Sequence, residues 1–431
     1  MGDQTTLEPV LGRPQLLVYS VGVIVGAGVY AVIGTAAELA QDKLWLSFLI
    51  GAAVALLTAI SYAELATAFP RAGAEYYYLR MAWPAAEWLS FCVGVIILLG
   101  GAATAATVAT AFGGYLSYFV EVPPVVSAFA LLALCTALNI LGLRAASWMN
   151  MVFTAMEVAG LLLVAAAAAA SWGGPMPEPP PGVGEPAIMT AAALLFFVYL
   201  GFEEVANLAE EVRRPGRDVP FALFASLGLT TALYVMVAIA VVHLAPTSAL
   251  GASEAPLAMA VERVWPSLGG LLGAIALFAT ANTVLIMLIA TSRLAFAMGR
   301  LGELPRPFAK LSKTGRTPWV AAIFAGATAM VLLPAGGLKL LAEMSSFAAL
   351  LAFLAVNSAL IRLRYRMPDH PRPFRAPWSI GRLPLLPVAA ILSIGGLLGH
   401  FDRSVYIAGA IALALSALAY FALRPGRGAK P

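Results

Sequence analysis

The chain reads as an all-α polytopic membrane protein of twelve spans: two five-helix halves of opposite orientation, then two further helices at the C-terminal end. Three observations predict this. Hydrophobic residues make up 61% of the 431 residues, charged residues only 11%, and mean hydropathy is +0.88. A water-soluble fold of this length cannot hide that much apolar surface. The apolar runs are long and continuous, which predicts helices rather than the short alternating strands of a porin-type barrel. Two of the runs are interrupted in a matched way, and their positions divide the chain.

In order, the expected spans are 14–40, 44–69, 84–118, 123–142, 147–172, 187–213, 219–244, 266–300, 318–334, 337–365, 382–400 and 404–424. Each approaches the ~20 apolar residues that a bilayer crossing takes. Abundant Ala and Gly let such helices approach closely. The Pro- and Gly-rich loop 173–186 should be irregular, and 245–265 should hold a short surface helix.

The first interrupted run carries VGVIVGAGVYAVIG, weakened by Gly26 and Gly28. The second carries FFVYLGFEEVANLAEEV, with Gly201, Glu203 and Glu204 where a plain span would hold Leu or Val. These are the first and sixth spans. The spacing predicts one repeat over 14–172 and a second over 187–365, with 382–424 as two accessory spans.

Charge sets the expected orientation. With both termini on one side, that side holds twenty-two of the 26 Lys and Arg residues; the other holds Lys43, Arg263, Lys339 and Arg403. This is a strong positive-inside signal, so tails 1–13 and 425–431 should be cytoplasmic. The formal charge of +4 is a topology signal, and no nucleic-acid partner is needed to explain it. Arg far outnumbers Lys, as GC-rich bacterial genomes encode, and the expected location is a bacterial cytoplasmic (inner) membrane. The N-terminal segment lacks a signal-peptide pattern. Cys92 and Cys135 lie inside apolar runs, and three scattered histidines suggest no metal site. No cofactor is expected.

Broken helices at membrane depth survive only where the freed backbone groups face a cavity or a ligand, and paired breaks point to a transporter's substrate site. The half-helix beginning at a break presents amide N–H groups and a positive dipole end, which attract a carboxylate. The half-helix ending there presents carbonyls, which attract an ammonium. The sequence Gly26-Ala27-Gly28 has almost no side chain, so a ligand can reach the backbone. The second break, near 199–202, would supply carbonyls and an aromatic wall from Phe197, Tyr199 and Phe202. The glycines could instead serve helix packing alone.

These residues resemble the amino acid–polyamine–organocation (APC) transporters. The likeness runs through GVIVGAGVYAVIG, ISYAELATAFPRAGAEYYYLR, FFVYLGFEEVANLAEEVRRPGRDVPFAL and TSRLAFAMGRLGELPRPFAKLSKTGRTPWVAA, and covers nearly all of 10–424. It implies the leucine-transporter-like 5+5 inverted repeat and alternating access. It also implies secondary transport of an amino acid or amine, proton-coupled or by exchange. Carried over by position, the substrate carboxylate falls at Gly26, Ala27 and Gly28, the amine near Ile24 and the carbonyls from Phe197 to Gly201. Phe202 takes the place of the bulky gate residue.

Acids inside a membrane are rare and functional by default. Glu157 lies well inside the fifth span, where the resemblance implies a Lys. A neutral Glu there would be a proton site; an ionised one would want a cation; a third use is a structural hydrogen bond. Glu203 matches the family's GFE acid and is a candidate proton or hydrogen-bond site. Thr280, Asn282 and Thr283 could complete a cation site, although Thr in membrane helices more often bonds its own backbone. Two functional readings stay open. Glycine-rich amides favour an amino acid substrate, including a cationic one; Glu157 favours an amine or polyamine without a carboxylate. A sensor should carry a signalling domain, a channel a polar filter, and an enzyme a nucleophile–base pair, metal cluster or nucleotide loop; none is visible.

Overall fold

A computed structural model of the chain describes residues 11–71, 74–142, 147–174, 182–312 and 317–422. Residues 1–10 and 425–431 of the tails, and Arg144, Lys313, Arg316, Arg424, Arg427 and Lys430 of the charge partition, lie outside the described residues. The order is α1 (Arg13–Ile24), α2 (Gly28–Ala40), α3 (Leu44–Ala68), α4 (Ala74–Ala82), α5 (Glu87–Ser117), α6 (Pro124–Leu141), α7 (Ser147–Ala170), α8 (Glu185–Leu195) and α9 (Glu204–Asn207). It continues with α10 (Pro215–Leu244), α11 (Thr247–Ala252), α12 (Pro256–Glu262), α13 (Pro266–Arg300), α14 (Trp319–Leu332), α15 (Leu338–Arg366), α16 (Leu385–Leu398) and α17 (Arg403–Ala422). A two-stranded hairpin, β1 (Ser379–Ile380) and β2 (Leu383–Pro384), precedes α16.

Local chemistry sets many ends. Proline sits in the first turn of α1, α6, α8, α10, α12 and α13, where its missing N–H leaves no hydrogen bond unmade. Helix α6 stops at Gly142, whose φ of 78° is the left-handed cap that only glycine adopts readily.

The chain is a membrane protein. Among the described residues, nine helical stretches are long and apolar enough to cross a bilayer, and two shorter apolar ones are Trp319–Ala335 and Leu385–Leu398. The difference from twelve has local causes. The first break leaves α1 only 12 residues long, and α14 and α16 have 14 each.

Helix α5 lies at the centre, against α6, α13 and α15. Close approach is possible because a Cβ on Gly100 would stand 2.9 Å from Ala348, and one on Gly101 would strike Thr291. The segment 245–265 is not the expected surface helix. It forms α11 and α12, and Leu257, Ala258, Ala260 and Val261 are fully buried, because α12 packs on α13 and α2.

On the expected cytoplasmic side the chain is stitched together by polar contacts. Leu11 and Val212 form a parallel bridge: Leu11 N–H donates to Glu211 O at 2.9 Å and Arg213 N–H to Leu11 O at 3.0 Å. Arg13 Nε donates to the buried Asp218 carboxylate at 2.9 Å. Glu64 of α3, wholly buried, accepts from Arg364 of α15 and from Arg372 beyond it.

Candidate substrate site at the two helix breaks

Helix α1 ends at Ile24, and α2 begins at Gly28. The first N–H groups of α2 have no intrahelical acceptor. The Ala27 amide donates to Thr283 Oγ1 of α13 at 3.1 Å. A Cβ on Gly26 would stand 3.2 Å from that same oxygen. The stretch without side chains is therefore held against α13 by one hydroxyl.

At the second break α8 gives way to a 3-10 turn, Phe196–Tyr199, then extended Leu200. Gly201 follows with φ of +109°, a conformation open in practice to glycine alone. Its N–H donates to Glu203 Oε2 at 2.9 Å, so that carboxyl closes the turn onto α9. Glu204 accepts from Asn207 Nδ2 at 3.1 Å, and Asn207 Oδ1 accepts from the Ala74 N–H that opens α4. Next to Ala74, Glu75 accepts from the Tyr62 hydroxyl at 2.9 Å.

The two breaks touch. A Cβ on Gly28 would lie 3.3 Å from Val198 Cα and 3.5 Å from the Phe197 ring; one on Gly201 would lie 3.0 Å from Val23 O. Tyr234 of α10, buried, ties them: its hydroxyl is 2.7 Å from Ile24 O and 3.3 Å from Val198 O. One O–H thus serves a carbonyl at each break. Tyr234 is a candidate site residue that sequence reasoning missed. The only signal was a lone tyrosine in the 219–244 run, whose other polar residues are Ser226, Thr230, Thr231 and His243.

Helix α7 runs alongside the first break. A Cβ on Gly22 of α1 would strike Thr154 Oγ1, and one on Gly160 would meet the Tyr30 hydroxyl of α2. Glu157 lies between Thr154 and Gly160 on one helix face, so it stands level with the gap between α1 and α2. It is 2% exposed, and its Oε1 has no hydrogen-bond partner. Its main-chain carbonyl accepts from Tyr30 at 2.8 Å.

The remaining candidates are distributed around this centre. Phe197 lies on Gly28 and flanks the first break. Tyr199 donates to Phe48 O at 3.0 Å, its ring lying against Gly51 of α3. Phe202 stacks edge-on to Tyr62 at 5.8 Å and tilted against Phe353 at 5.2 Å, within a cluster between α3 and α15. The Thr280 hydroxyl is 2.7 Å from Ala276 O, within its own helix. Asn282 is partly exposed on α13. Beside α2 lies a cavity of about 170 Å³, with Tyr30, Gly34, Thr35, Ala111 and Glu254 in its wall.

The arrangement sets amide donors at the start of α2 opposite two carbonyl ends, a tyrosine hydroxyl and a buried carboxyl. These are the group types that recognise a carboxylate and an ammonium.

Comparison with known proteins bears on this chemistry. The profile of the family described as amino acid permease matches residues 11–423. The chain is 27% identical over 411 residues to the branched-chain amino acid permease BcaP of Bacillus subtilis, covering 90% of this chain and 87% of that protein. It is 27% identical over 418 residues to the methylthioribose transporter of the same organism, with the same coverage. It is 32% identical over 389 residues to the vacuolar cationic amino acid transporter 2 of Arabidopsis thaliana, covering 84% of this chain and 61% of that one.

Proposed function

Because the chain belongs to the amino acid permease family and is a transporter rather than an enzyme, we propose that it is a secondary active transporter of α-amino acids. The substrate lies between the two breaks, in a leucine-transporter-like 5+5 core of twelve spans with both termini in the cytoplasm. The observation that carries this reading is the meeting of the breaks at Tyr234, which brings the α2 amides and the Ile24 and Val198 carbonyls into one site. The carboxylate of the substrate sits on the amides at Gly26, Ala27 and Gly28. Its ammonium sits at the carbonyl ends. Rocking of one half against the other exposes the site alternately, driven by protons or by exchange.

Glu157 refines the substrate class. A buried carboxyl level with the break, with no partner for Oε1, leaves an acceptor oxygen that an ammonium or guanidinium donor could take. This favours cationic amino acids, in line with the name of the Arabidopsis relative. The same observation favours a second reading, an amine or polyamine with no carboxylate. A competition screen in proteoliposomes separates them, with amino acids set against their decarboxylated amines. Stronger competition by the amino acids supports the first reading. Equal or stronger competition by the amines transfers support to the second.

A further inference from the structure

The loop between α15 and α16 carries a device outside the transport site. Trp378 and Ile380 are 72% and 70% exposed. Trp378 also has φ of +56°, a backbone conformation unfavourable for so bulky a residue. A polar frame holds it there. Ser379 and Ile380 pair antiparallel with Pro384 and Leu383. The Ser379 hydroxyl accepts from Arg364 at 2.6 Å, and Arg364 is clamped with Arg372 on buried Glu64. In water, a fixed and exposed Trp–Ile tip is unfavourable. At a bilayer surface an amphipathic tryptophan is the favoured residue.

The tip adjoins the first turn of α16. The Leu385 N–H, first in α16, donates to the Trp378 carbonyl at 2.9 Å. Helix α16 has 14 residues, about 21 Å at 1.5 Å per residue, against a hydrocarbon core of ~30 Å. Flanking residues relieve such a mismatch, and Trp378 and Ile380 precede a helix whose Leu385 and Leu392 are themselves exposed. Arg375 and Arg382 flank the tip, both exposed, and neither forms a salt bridge among the described residues. Guanidinium groups suit phosphate bidentately.

We infer that this hairpin docks the headgroup region of anionic phospholipid, with Trp378 and Ile380 entering the interface and Arg375 and Arg382 meeting the phosphates. The inference needs α15 and α16 in the membrane; only the leaflet, the cytoplasmic one, rests on the orientation proposed above.

The test uses the full chain with Ile380→Cys carrying an environment-sensitive fluorophore; Cys92 and Cys135 are buried. The protein is reconstituted in phosphatidylcholine vesicles doped with either brominated phosphatidylcholine or brominated phosphatidylglycerol. Blue-shifted emission is expected, with preferential quenching by the glycerol lipid. At about fivefold per arginine near an anionic surface, that preference should collapse toward one in Arg375→Gln/Arg382→Gln. Thermal unfolding of each variant beside the parent checks that the fold is intact. Water-like emission in both lipids, equal quenching in the parent, or an unchanged preference in a folded double variant overturns the proposal. The readout needs no transported substrate, so its failure is distinct from failure of the transport reading.

Discussion

The Tyr234 hydroxyl lies 2.7 Å from the carbonyl oxygen of Ile24, which joins the middle of α10 to the last residue of α1. The same oxygen is 3.3 Å from Val198 O. The two breaks therefore share one donor, and a ligand that takes either carbonyl must share it with Tyr234. Tyr234→Phe removes the donor and keeps the ring, which packs edge-on to Tyr199 at 5.7 Å. Expected is a loss of about 1–3 kcal/mol in stability, the cost of leaving a buried acceptor unpaired, together with altered affinity for the ammonium end of the substrate. Thermal unfolding and equilibrium binding check both. Unchanged values in the two assays would separate Tyr234 from the site.

The glycines of the first break should differ in tolerance. At Gly28 a new Cβ meets the Val198 backbone at 3.3 Å, whereas at Gly26 it meets a hydroxyl, Thr283 Oγ1, at 3.2 Å. The Thr283 side chain can turn about χ1, at the cost of its bond to the Ala27 amide, whereas a main chain cannot move aside. Gly28→Ala should therefore impair substrate binding more than Gly26→Ala, and Gly26→Leu or Gly28→Leu should abolish transport. Wild-type affinity in both leucine variants would reduce the glycines to helix packing.

Glu157→Gln keeps shape and removes both charge and titratable proton. If the carboxyl couples protons, accumulation driven by a pH gradient falls, its pH profile flattens and exchange survives. If it meets a cationic substrate, binding weakens by ~1–3 kcal/mol. Glu157→Lys should exclude cationic ligands by repulsion. Binding, accumulation and pH profile all unchanged in the glutamine variant would leave Glu157 a structural residue.

Glu75, at the start of α4 and outside the spanning helices, gives a pH prediction. Burial, reinforced by the nearby Glu204 carboxylate, pushes its carboxyl from the ordinary 4.5 up to about 7. The folded state then holds this proton more tightly than the unfolded chain. The contribution is fully present below pH 4.5 and is lost as pH rises through about 7. Glu75→Gln, which can still accept from Tyr62, should flatten that decline in a pH series of unfolding midpoints. A slope identical to the parent would assign it to other groups.

Orientation is testable at one exposed residue, Lys310, in the loop after α13. A membrane-impermeant thiol reagent should leave Lys310→Cys unmodified in sealed cells and modify it after lysis. Strong labelling of intact cells would falsify the cytoplasmic assignment.

Composition and periodicity were enough to read a polytopic helical membrane protein, because lipid demands long apolar runs and internal backbone hydrogen bonding. Gly26, Gly28 and Gly201 marked the breaks, because local sequence controls where a helix can continue. Buried α12 was not legible: its short apolar run looks the same whether it lies on a surface or against α13. The hairpin before α16 was hidden too, since two-residue strands leave no periodicity to read. The sequence could say that two breaks exist and that Glu157 is immersed. Only the tertiary structure decided that Val198 lies against Gly28, that Tyr234 serves both breaks, and that α7 holds Glu157 level with the gap. Those are contacts between residues far apart in the chain, set by side-chain packing across helices, and no local propensity encodes them.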